Sequence, residues 1–131
     1  AWTRPEHFAR WWGPDGFTTR VQSMDVRTGV VSRYLMIGPD GTEYPNRVDY
    51  LEVVPELQLL YLHGKDTAAG NENPFRVRVT FEARGESTYV VMRGVFSTVE
   101  AFEIVKGFGA IELGMQTMAH LDGYLKSMVL R

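Results

Sequence analysis

The chain has 131 residues, 44% hydrophobic and 23% charged, with a formal net charge of −2. That length supports one domain with a real core and is too short for two. The charge balance argues against a nucleic-acid partner, which would call for a strongly basic face. The absence of cysteine excludes disulfides, thiolate metal sites and cysteine nucleophiles. No uninterrupted apolar run is long enough to cross a bilayer. The opening residues lack a basic segment followed by an apolar run, so they do not read as a signal peptide. The expected compartment is therefore the cytoplasm, where a chain without cysteine fits well.

All three tryptophans fall within the first twelve residues, at Trp2, Trp11 and Trp12. Each ring buries a large apolar area, so this stretch must pack against something. Thr3 is placed to cap a short helix, with Pro5 and Glu6 in its first turn and His7 to Trp12 as its body. Gly13-Pro14 stops it. Phe17 to Val26 then reads as a strand with Phe17, Thr19 and Val21 on one face. After the turn at Arg27-Thr28-Gly29, Val30 to Ile37 is a second strand. One of its faces carries Val30, Ser32, Tyr34 and Met36. Gly38-Pro39-Asp40-Gly41 is a strong hairpin signal, and the chain returns from Tyr44 to Val54. Pro55-Glu56 turns it again into Leu57 to His63.

Residues 64 to 74 are small and polar. They read as a loop, and as the gate of any binding site in this domain. Phe75 to Phe81 alternates, predicting Phe75, Val77, Val79 and Phe81 inward and Arg76, Arg78 and Thr80 outward. A turn at Gly85-Glu86 leads into Thr88 to Phe96. Ser97 is placed to cap a short helix over Val99 to Val105, which Gly107 and Gly109 interrupt. From Ala110 the pattern is helical to the end. Ile111, Met115, Met118, Leu121, Leu125 and Met128 form one stripe at three- and four-residue spacing.

The stretch Ala1-Trp2-Thr3, Pro5-Glu6, Arg10-Trp11-Trp12-Gly13-Pro14 and Gly16-Phe17 resembles the signature of the family related to activators of the heat-shock-protein-90 ATPase. Gly38-Pro39-Asp40-Gly41, Tyr44-Pro45, the run Tyr50 to Glu56 and the tail Gln116-Thr117-Met118, Leu121 and Tyr124-Leu125 are similar too. The likeness covers essentially the whole chain. It implies a START-like (SRPBCC, birch-pollen-allergen-like) α+β fold of the helix-grip kind, a curved antiparallel sheet around a long C-terminal helix. Family members usually begin with a strand and the front of a helix before the Ala-Trp-Thr segment. The single domain over residues 1–131 is accordingly expected to lack that first strand. The exposed sheet edge would then meet upstream residues or a second copy in a homodimer.

The resemblance also implies a function. The favoured expectation is non-enzymatic binding of a small hydrophobic molecule between the sheet and the long helix. The expected lining is Trp11, Trp12, Tyr34, Met36, Tyr50, Phe75, Met115 and Met118, with no catalytic residues, no metal and no cofactor. One alternative is a co-chaperone-like module acting on a heat-shock ATPase. Another is a cyclase-like enzyme using Arg33, Asp49 or Glu52, although these residues read more simply as cross-strand ion pairs. The histidines His7, His63 and His120 are scattered without metal-ligand spacing. His63 stands out among them because it ends a strand beside the small, polar stretch. There is no G-x-S-x-G elbow and no phosphate-binding glycine loop.

Overall fold

The computed structural model describes residues 2–107 and 109–129, apart from the side chains at positions 73, 105, 110 and 129. Helix α1 (Pro5–Trp11) opens the domain, with proline in its first turn and Glu6 at the positive end of its dipole. Its N-cap is Arg4 in extended conformation with no side-chain cap, so Thr3 does not play the capping role its position suggested. Phe8 and Trp11 are the buried residues of this helix. Gly13 then adopts φ +113°, a left-handed turn that a residue with a side chain resists. That turn sends the chain directly into the sheet.

The sheet is a six-stranded antiparallel meander in sequence order. It comprises β1 (Thr18–Ser23), β2 (Val31–Ile37), β3 (Glu43–Val54), β4 (Gln58–Thr67), β5 (Gly70–Arg84) and β6 (Ser87–Val95). Register shifts near residues 22, 51 and 64 interrupt the ladders. An extra residue on one strand raises local twist and bends the strand, which curls the sheet. Alternation holds where it is cleanest. Val77 and Val79 are essentially fully buried, while Arg76 and Arg78 are exposed. On β2, Ser32 and Tyr34 are buried on the concave face.

Residues 64–74 are not a loop. Strand β4 runs to Thr67 and β5 starts at Gly70, leaving a two-residue turn at Ala68-Ala69. Lys65 pairs with Glu72, Asp66 with Asn71 and Thr67 with Gly70. Gly70 supplies the positive φ, at +116°, and the Thr67 hydroxyl donates to its carbonyl at 3.0 Å. The ladder takes up the backbone groups of this polar stretch, so it provides no gate.

Helices α2 (Val99–Gly107) and α3 (Ala110–Val129) complete the fold. The cap of α2 comes from Thr98, whose hydroxyl accepts from the Ala101 N–H at 3.0 Å, rather than from Ser97. The core joins Trp2, Phe8 and Trp11 to the concave residues Tyr34, Val48, Tyr50, Leu59, Tyr61, Val77 and Val79, with Leu121 from α3. The predicted stripe on α3 is only partly used. Thr117 and Leu121 are buried and Met118 and Tyr124 half-buried, but Ile111, Met115, Leu125 and Met128 are exposed.

Candidate functional site

The concave face gathers aromatic rings around one small space. Phe8 stacks on Trp12 with centroids 4.9 Å apart, and Trp12 meets Tyr34 edge-on at 6.3 Å. Trp2 lies 5.0 Å from Trp11 and 6.0 Å from Trp12. Tyr50 and Tyr61, partners across β3 and β4, meet at 5.8 Å. Trp2, Phe8, Trp12, Tyr34, Tyr50 and Tyr61 line the space, with Ser32 and Val48 beneath. Its free volume is about 10 Å³, at the limit for a single water molecule. The rings are nearly closed on one another.

Polar groups sit at one side of this space. His63 Nε2 lies 3.1 Å from the Tyr34 hydroxyl and 2.9 Å from Asn46 Oδ1. Burial lowers the His63 pKa to about 4, so the ring is neutral near neutral pH. Burial pushes the Tyr50 phenol up to about 12 and raises those of Tyr34 and Tyr61 as well. All three phenols therefore keep their protons. From His63 the rings continue outward: His63 to Phe75 at 5.4 Å, Phe75 stacked on Phe96 at 4.9 Å, and Phe96 to Phe102 of α2 at 5.7 Å. Phe102 is exposed. The run of rings leads from the buried space to the surface at α2.

The opposite end of α3 is fastened. His120 Nδ1 lies 2.8 Å from the Gly13 carbonyl oxygen, and its Nε2 lies 2.6 Å from Asp15 Oδ1. The Asp15 N–H donates to Gln116 Oε1 at 3.0 Å. His7 Nδ1 and the Tyr124 hydroxyl share a hydrogen bond of 2.7 Å. These contacts hold the turn after α1 and α1 itself against residues 116–124.

Of the eight residues expected to line a site, Trp12, Tyr34 and Tyr50 converge on the aromatic space. Trp11 is 1% exposed and closes the core beside it. The two neighbouring tryptophans thus have different surroundings. Met36, Phe75 and Met118 pack half-buried around the core. Met115 is 68% exposed and does not line the space; α3 turns it away from the rings. Trp2, Phe8, Tyr61 and His63 belong to the constellation and were not among those eight. For Tyr61 and His63 the missed signal is parity, since Leu59, Tyr61 and His63 alternate along β4.

The residues considered for acid–base work lie elsewhere. Arg33 pairs with Asp66 at 3.3 Å, Arg47 with Asp49 at 2.8 Å, and Glu52 accepts from the Gln58 amide at 2.9 Å. Arg33, Arg47 and Asp66 border a wide, shallow dish beside the β4–β5 turn. Its arginines are already paired, and none of these groups reaches the aromatic space. Among the described residues no group of three histidines or carboxylates is placed to hold a metal ion, and no helix is long and apolar enough to cross a membrane.

A curled antiparallel sheet with a C-terminal helix laid over its aromatic face defines the helix-grip class of START-like proteins. Within it, the chain belongs to the family described as activator of Hsp90 ATPase homolog 1-like proteins, whose sequence model matches residues 1–126. Solved structures share the fold. Protein Ms6760 of Mycobacterium smegmatis superposes with a TM-score of 0.86 at 25% identity, over 97% of this chain and 80% of that one. A protein of Arthrobacter aurescens gives 0.89 at 21% identity, over 96% and 76%. Protein NE0264 of Nitrosomonas europaea gives 0.84 at 21% identity, over 98% and 84%. No curated protein matches the chain.

Proposed function

We propose that the chain binds a small hydrophobic molecule between the sheet and α3. The observation that carries this reading is that α3 is gripped over only half its length. Residues 116–124 are fastened to α1 and to the turn that follows it, whereas Ile111, Leu113 and Met115 on the preceding turns are 58%, 38% and 68% exposed. Burying such side chains would be worth roughly 25 cal/mol for each Å² removed from water. A domain without cargo gains by closing over them. Ligand binding of this kind is common in the family, and the run of rings from Trp12 to Phe102 offers a path from the unpacked end to the aromatic space. With only about 10 Å³ free, the rings must part to admit a ligand.

The test is to examine the purified protein for retained small molecules by native mass spectrometry, then to measure thermal shifts against lipids and polyketide-like compounds. A ligand at a hundredfold excess over its Kd should stabilise the fold by about 2.7 kcal/mol. Nothing retained and no shift across the panel would defeat the reading.

A second reading, contact with a heat-shock ATPase, is favoured by one specific observation besides the family description. Tyr89, Val91 and Val95 on β6, together with Val99 and Ile104 on α2, are exposed apolar side chains, and such surface often marks a protein contact. A change in the ATPase rate of a heat-shock-protein-90 chaperone on adding this protein, lost when Val99 and Ile104 become serine, would move this reading to first place.

A further inference from the structure

A count of donors and acceptors at the aromatic space goes further than its apolar lining. The Asn46 Nδ2 group donates to the Tyr44 carbonyl at 2.8 Å, which fixes the amide and turns Oδ1 toward His63. Oδ1 only accepts, so His63 Nε2 carries the proton and donates to it. The Tyr34 oxygen, 3.1 Å from the same Nε2, then faces an N–H and cannot donate to that nitrogen. Among the described residues no other acceptor meets the Tyr34 hydroxyl. The buried Trp12 Nε1–H is turned toward the Tyr34 oxygen, but not at the geometry of a full hydrogen bond. Among the described residues the phenol O–H is thus left without an acceptor, and the indole N–H beside it has only the poorly aligned Tyr34 oxygen. A buried donor left unpaired costs about 1–3 kcal/mol.

Charge narrows the complement. Among the described residues no lysine, arginine, aspartate or glutamate lines the space, and the adjoining His63 is neutral near neutral pH because burial lowers its pKa to about 4. A carboxylate placed there would lack a counter-ion, and burying an unpaired charge is strongly unfavourable. A neutral oxygen meets both donors without that cost.

Resting on the binding reading above, we infer that the site takes an apolar molecule bearing a neutral acceptor oxygen, such as a ketone or ester carbonyl, held by the Tyr34 O–H with the Trp12 N–H beside it. The test uses three naphthalene probes: the methyl ketone, its isopropenyl isostere without the oxygen, and the carboxylate. Calorimetric titration should show the ketone binding roughly tenfold tighter than the isostere, the worth of one net hydrogen bond. The carboxylate should bind more weakly than either. Tyr34→Phe, which keeps the ring, should bring ketone and isostere close to equal. The infrared carbonyl stretch of the bound ketone should lie below its value in hexane, a readout that needs no variant. Equal binding of ketone and isostere to the unaltered protein, an unshifted carbonyl stretch, a preference that survives both Tyr34→Phe and Trp12→Phe, or tightest binding of the carboxylate would each overturn the inference while leaving hydrophobic binding intact. Failure of every probe to bind, at concentrations where the broad panel also fails, would remove both.

Discussion

The two halves of α3 differ more than their sequences do. Residues 116–124 contribute buried Thr117 and Leu121, half-buried Met118 and Tyr124, and hydrogen bonds from Gln116, His120 and Tyr124 to α1 and its following turn. Residues 111–115 are as apolar, with Ile111, Leu113 and Met115, yet all three are exposed. Helical periodicity says which side chains share a face. Whether that face is covered depends on what lies opposite. The second half meets α1 and the core cluster that includes Trp2, Phe8 and Trp11, which Leu121 joins, while among the described residues Ile111, Leu113 and Met115 stay exposed.

The contrast can be broken most forcefully at its packed side. Trp11→Ala removes a ring that is 1% exposed and should destabilise the fold by about 3–5 kcal/mol in urea unfolding. The next effect is a pH dependence. Burial lowers the His63 pKa in the folded protein to about 4 from the ordinary 6.5 of a histidine. Between those values the unfolded chain binds the proton that the folded chain refuses, so stability falls as pH drops below about 6.5 and levels off below about 4. The loss should reach as much as about 3 kcal/mol, and His63→Gln should flatten that part of the profile relative to the parent protein. Cutting the latch with His120→Ala should cost roughly 1–2 kcal/mol for the lost contacts to Gly13 and Asp15, and should speed amide exchange in the second half of α3. At the unpacked side, Met115→Ala should change stability by less than about 0.5 kcal/mol. A loss of several kcal/mol there would mean that the first half of the helix is covered in solution.

Much of the architecture was legible because the physical signals were local. Glycine and proline mark the turns at 13–14 and 38–41, and strict alternation from Phe75 to Phe81 sets which side of β5 is buried. The β4–β5 hairpin was not legible for the opposite reason. Residues 64–74 are small and polar because one side of that ladder faces water, and composition alone cannot tell a solvated hairpin from a loop. Met115 misled because its place on an apolar stripe says nothing about the partner across from it. His63 was noticed only for its position. Its weight comes from Tyr34 and Asn46, which stand twenty-nine and seventeen residues away and meet it only through the registers of β2, β3 and β4.

The grouping of Trp2, Trp11 and Trp12 has an optical consequence. These are all the tryptophans of the chain, and their rings stand 5.0 to 6.0 Å apart. Indole emission therefore samples a single locus, the one that borders the aromatic space, and is blind to α2 and the first turns of α3. If those turns fray before the rest, circular dichroism should fall while emission holds steady. A fluorescence melt would then follow the gripped half of the domain alone.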